Sequence, residues 1–153
     1  AIGYLVGSTF LFGGLATSAY RSSVVPTELL ILVLMAALST VGREVIKTVQ
    51  DMPGDKKLRL KTVPLRYGQK AAGVLSVVFI AGAVILSPVP YISGIFGLPY
   101  LYFLIPSIAA FLAACGIIMV NQTPRGAGRA SLACKLGMAL GLLAFLAGAI
   151  SML

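Results

Sequence analysis

The chain has 153 residues, 59% hydrophobic and only 10% charged, with 12 Lys+Arg against 4 Asp+Glu and a formal net charge of +8. A mean hydropathy of +1.01 excludes an ordinary soluble domain, in which roughly a quarter of residues are charged, and points to an integral membrane protein. The absence of histidine excludes imidazole metal sites and histidine acid–base chemistry within these residues, and Cys115 and Cys134 read as small hydrophobes at no metal-ligand spacing.

A bilayer-spanning helix needs about 20 mostly apolar residues. Residues 1–20 carry no charge and form the first candidate span. They lack a basic leading region, so they do not read as a signal peptide, and the chain is expected to be the C-terminal part of a longer protein. A turn at 21–26 leads to a second span capped near Thr27–Glu28 and running to Arg43 and beyond. No charged residue occurs from Ala71 to Pro124, and three prolines and two glycines at 88–99 divide that run into spans at 71–88 and 99–120. Pro106 is expected to kink the latter without ending it. A loop at 121–129 precedes a last span at 131–153. The expectation is an all-α membrane protein with five transmembrane helices in one domain over 1–153.

Eight of the 12 cations lie between Arg43 and Lys70. With alternating loops, residues 43–70, 121–130 and Lys135 share one face that holds 11 cations, against Arg21 alone on the other. The positive-inside rule makes the 43–70 loop cytoplasmic, with Ala1 inside and the C-terminus outside. A basic loop between apolar spans is also unlike the basic face of a nucleic-acid reader, so no nucleic-acid partner is expected. Gly3/Gly7 and Gly137/Gly141 are small-xxx-small pairs suited to close helix packing. Tyr91, Phe96, Tyr100, Tyr102 and Phe103 read as an aromatic belt at the outer interface.

Three of the four acids, Glu44, Asp51 and Asp55, fall within REVIKTVQDMPGD. Glu44 and Asp51 differ by about 20° around a helix, with Lys47 one turn before Asp51. Ideal geometry extends this stripe to Asp55, but Pro53 and Gly54 predict a helix end, placing Asp55 on the following loop, folded back beside Asp51. Carboxylates four apart at a helix end suit magnesium, which takes oxygen ligands, keeps waters and bridges to phosphates. Arg43, Lys47 and the cations at 56–61 add charge for the same anion. The pattern also fits a solvated helix end whose acids offset neighbouring cations.

The segment REVIKTVQDMPGDKKLRLKTVPLRYG resembles the second aspartate-rich segment of the UbiA superfamily of intramembrane prenyltransferases. The resemblance is carried by the Arg-Glu opening, Lys47, Asp51, Gly54-Asp55, the Lys61-Thr62-x-Pro64 turn and Tyr67-Gly68. GSTFLFGGLA and LSPVPYISGIFG extend it towards the archaeal ether-lipid branch, which adds a second isoprenoid chain to a glycerol ether. Thr48, where that branch often has Asp, and Pro53 depart from the pattern. The resemblance implies helices five to nine of a nine-helix bundle, with the family's first aspartate-rich motif supplied by a missing N-terminal half. It implies magnesium-dependent transfer of a polyprenyl group, such as geranylgeranyl, from its diphosphate to a membrane-resident acceptor such as geranylgeranylglyceryl phosphate. Asp51 and Asp55 are then the catalytic metal ligands. Arg43, Glu44, Lys47 and Lys61 are substrate-binding candidates, although Arg43 and Lys47 could instead pair with Glu44 and Asp51. An aromatic acceptor, a non-catalytic scaffold and a transporter module are the competing readings.

Overall fold

A computed structural model of the chain describes residues 27–151. The expected span at 1–20, the turn at 21–26, the Gly3/Gly7 pair, the side chains of a Thr27–Glu28 cap and the last two residues lie outside the described residues. What is described is helical with short connections: α1 Thr27–Gln50, α2 Met52–Lys57, α3 Val63–Tyr67, α4 Gln69–Leu86, α5 Val89–Ile92, α6 Leu98–Val120 and α7 Pro124–Ile150. Three helical stretches, Gln69–Ile92, Leu98–Val120 and Pro124–Ile150, are long and apolar enough to cross a membrane. Helix α1 adds 24 residues, uncharged from Leu29 to Gly42.

The helices run alternately up and down, and small residues set their spacing. A Cβ on Gly42 of α1 would lie 2.6 Å from Ile80 Cγ1 and 3.1 Å from the Ser76 carbonyl of α4. On the α6–α7 hairpin the contacts descend in opposite order. Gly137 faces the Phe111 ring, Gly141 faces Ser107, and Gly148 faces Phe96. The Ser107 hydroxyl donates to the Gly137 carbonyl at 2.7 Å, an interhelical bond that satisfies a polar group water does not reach. The Gly137/Gly141 pair therefore serves packing within one bundle, as its spacing suggests. Gln50, Gly73, Gln122 and Gly128 gather at one end. Ser87, Phe96, Tyr100 and Ser151 gather at the other. The 43–70 and 121–130 segments thus share one end of the bundle.

Two expectations change. The 121–129 loop shrinks to three residues, because α7 starts at Pro124. Proline's missing N–H costs nothing in the first turn of a helix, and the Thr123 hydroxyl caps that turn by accepting from Gly126 N at 3.2 Å. Gly126 and Gly128 therefore belong to the helix, and Gly126 leaves no room for a Cβ beside the Asn121 carbonyl. The aromatic belt also divides. Phe96 and Tyr100 are buried core residues, whereas Tyr102 is exposed. The punctuation at 88–99 and the passage of α6 through Pro106 are as expected.

Gly42→Val forces the α1–α4 contact apart, and overpacking of this kind costs about 1–3 kcal/mol. Thermal unfolding in detergent is expected to show a lowered midpoint, partly restored by adding Ile80→Ala.

Candidate functional site

Ile46 and Val49 are fully buried in the core shared with Ala127, Ala130 and Cys134 of α7. That burial fixes the rotation of α1 and leaves Lys47, Gln50 and Asp51 exposed at its end. The chain bends at Asp51, yet the helical hydrogen bonding carries through. Asp51 N donates to Lys47 O at 2.9 Å, and Asp55 N donates to Asp51 O at 3.1 Å. Lys47, Asp51 and Asp55 therefore form a column, each step rising about 6 Å and turning about 40°.

This corrects the placement of Asp55, which lies within α2 and not on a loop. Pro53 falls in the first turn of α2, where it fits without breaking a hydrogen bond. It restarts the helix instead of ending it. The Gln69 amide, which no sequence motif singles out, reaches Met52 Sδ at 3.4 Å and links α2 to the start of α4.

Arg43 and Glu44 lie one turn deeper and are about one-fifth and one-quarter exposed. Arg43 Nη1 meets Glu44 Oε1 at 2.6 Å, the only ion pair among the described residues. The pairing alternative for Arg43 is therefore realised through Glu44, while Lys47 makes no ion pair there. Arg43 Nε is buried without a partner. The exposed Lys61 sits beyond α2 on the segment leading to α3, and the adjacent Thr62 hydroxyl is buried and unpartnered. Asp51, Asp55, Lys47 and Arg43 thus come together on consecutive turns, whereas Lys61 belongs to a separate connection.

Among the described residues the Asp51 and Asp55 carboxylates enter no ion pair, and no cluster of three potential ligands occurs. Two uncommitted carboxylates one helical turn apart fit magnesium, which commonly takes one or two protein carboxylates and completes its shell with water and phosphate.

Further into the bundle, α1, α4, α6 and α7 line a partly open apolar cavity of about 220 Å³. Of its five lining hydroxyls, those of Ser39, Ser87, Tyr100 and Ser107 are turned to the protein, leaving that of Thr40 without a partner among the described residues. Ser39 donates to Ala36 O at 3.1 Å, Ser87 to Val84 O at 2.7 Å, and Tyr100 to Ser87 O at 2.7 Å. With the Ser107–Gly137 bond, these contacts leave a wall that is mainly hydrocarbon. The sequence signals the small residues at Gly137 and Gly141, but a cavity depends on the alignment of four helices.

The model of the UbiA prenyltransferase family matches residues 1–140. The chain is 40% identical to the digeranylgeranylglyceryl phosphate synthase of Methanopyrus kandleri, over 95% of this chain and 51% of that protein. It is also 40% identical to the synthase of Methanocaldococcus jannaschii, over 99% of this chain and 51% of that protein. A solved structure described as giving insights into "the biosynthesis of Digeranylgeranylglyceryl phosphate synthase in membranes" superposes with a TM-score of 0.88 at 39% identity, covering 98% of this chain and 51% of that one. The chain spans about half the length of these relatives.

Glu44→Gln leaves the partly buried Arg43 guanidinium without its counter-charge. A loss of about 1–3 kcal/mol is expected, between the values for exposed and buried pairs. Thermal unfolding of the single variants and of the Arg43→Met/Glu44→Gln double variant checks this, the double variant being the more stable.

Proposed function

The chain belongs to the UbiA prenyltransferase family, and we propose that it forms the part of an ether-lipid prenyltransferase that carries the second aspartate-rich motif. The observation that carries this reading is the uncommitted Asp51/Asp55 pair, stacked on successive helical turns at the charged end of an apolar bundle. The reaction moves a geranylgeranyl group from its diphosphate to a glycerol-ether phosphate acceptor. In this reading the chain supplies helices five to nine, including five membrane spans, of a nine-helix enzyme. The first aspartate-rich motif comes from outside these 153 residues. The 11 cations on the motif face support a cytoplasmic orientation of that face by the positive-inside rule.

The slow event is rupture of the allylic C–O bond as charge accumulates on the departing diphosphate. Asp51 and Asp55 would hold magnesium, which when bound would neutralise that charge as a Lewis acid. Lys47, one turn below Asp51, adds a fixed positive charge where the diphosphate sits. Arg43 is oriented by Glu44 and is about one-fifth exposed, so its outer guanidinium N–H groups can donate to a phosphate oxygen of either substrate. Lys61 contributes a looser cation from the following connection. The acceptor hydroxyl oxygen bonds to the allylic carbon as the diphosphate leaves with the electron pair of the broken C–O bond, and the hydroxyl proton passes to the released diphosphate. The cavity walls hold the prenyl chain and keep water from competing for that carbon.

Transfer of radiolabelled geranylgeranyl from its diphosphate to geranylgeranylglyceryl phosphate, by the full-length protein in detergent, tests the reading. Magnesium-dependent product is expected, with a fall of about a hundredfold or more in Asp51→Ala, comparable to removing a preorganised electrostatic group. Product formed at an undiminished rate without magnesium, or by the Asp51→Ala protein, contradicts it.

A further inference from the structure

We propose that the Thr40 hydroxyl donates to the ether oxygen of the acceptor lipid and so selects a glycerol ether, an inference that rests on the prenyl-transfer reading. Thr40 stands at the end of the cavity's α1 lining nearest the charged rim, that lining running from Met35 to Thr40. It is only 9% exposed. The other four hydroxyls that line the cavity each donate to a carbonyl, whereas that of Thr40 has no partner among the described residues.

The usual partner of a helical threonine hydroxyl is a carbonyl three or four residues back. The carbonyl four back, Ala36 O, is already taken. It accepts the Thr40 N–H within the helix and the Ser39 hydroxyl at 3.1 Å, which together use both of its lone pairs. A hydroxyl buried in an apolar wall without a partner is costly. A ligand oxygen opposite Thr40 therefore gains a bond that the neighbouring serines, already satisfied, do not offer.

The surroundings say which ligand supplies that oxygen. Arg43 is three residues further along α1, so it shares a face with Thr40 and lies about 4.5 Å closer to the charged end. A ligand along this face meets a cation, then a hydroxyl donor, then hydrocarbon. A prenyl diphosphate does not match that order, because beyond its diphosphate it is hydrocarbon alone. A glycerol ether phosphate does. Three glycerol carbons separate its phosphate ester from its ether oxygen, about 5 Å at roughly 1.5 Å per bond on a zigzag path. With the phosphate on Arg43 and the ether on Thr40, the remaining glycerol hydroxyl is held between them. From there it can turn towards a diphosphate beside Lys47, one turn above Arg43. The open side of the cavity leaves the acceptor's own chain a way out beside the donor's.

The test gives the full-length protein geranylgeranyl diphosphate with either geranylgeranylglyceryl phosphate or its analogue carrying CH2 in place of the ether oxygen, and reads both turnover and acceptor binding. The native protein is expected to favour the ether about fivefold, the scale of one hydrogen bond between neutral groups. Thr40→Val keeps the shape and removes the hydroxyl. It should raise the KM for the ether acceptor about fivefold, bring the two acceptors level, and leave the KM for geranylgeranyl diphosphate unchanged. Thr40→Ser restores the donor and should restore the preference. A native protein that treats the two acceptors alike, as it would if Thr40 merely held a water, overturns the proposal whether or not the variants fold. So does a Thr40→Val protein that keeps the preference while weakening both acceptors. Ether-selective binding that Thr40→Val abolishes, without transfer product, supports the Thr40 contact and rejects the transfer reading.

Discussion

A bilayer interior offers no water to a polar group, and the arrangement of this bundle depends on that constraint. Hydroxyls within the apolar helices are turned towards carbonyls, as at Ser39, Ser76, Ser87 and Ser107. Ionisable groups are instead concentrated at the end of the bundle where α1 meets α2. Arg43 and Glu44, the deepest of them in α1, neutralise one another. The consequence is a sharp boundary between an apolar cavity and a charged rim, the environment in which a lipid diphosphate can place its tail and head at once.

The rim depends on a local device. Burial of Ile46 and Val49 sets the rotation of α1, and the i to i+4 hydrogen bonds through Asp51 transmit that rotation into α2. Asp55 therefore inherits its position from packing two turns below it. The Gln69–Met52 contact and the packing of α3 on α4 return the chain to the bundle. The aspartate pair is held by helices at both ends, which fits a site whose carboxylates must be placed before a ligand arrives.

Much of this organisation was legible in sequence. The uncharged run from Ala71 to Pro124, broken by prolines and glycines, gives α4, α5 and α6 because hydropathy and backbone breakers act locally. The stripe joining Glu44 and Asp51 is likewise a matter of helical period. What misled was proline, whose meaning depends on where a helix begins. Pro53 and Pro124 look like interruptions, yet both stand in first turns. The inward positions of Phe96 and Tyr100, and the cavity they adjoin, depend on which face of α6 meets Gly148 and Ser87, a tertiary relation that composition does not encode. The adjacent-residue pairing of Arg43 with Glu44 was one of several local pairings the spacing allowed, and side-chain packing selects it.

The most direct measurement is an experimental structure of the full-length protein in lipid with manganese in place of magnesium and a non-hydrolysable geranylgeranyl thiodiphosphate. The account predicts metal density at the Asp51 and Asp55 carboxylates, the diphosphate beside Lys47, and the chain running into the cavity towards Tyr100. Metal and diphosphate density away from both aspartates, or a chain lying along the outer surface of the bundle with the cavity vacant, would contradict it.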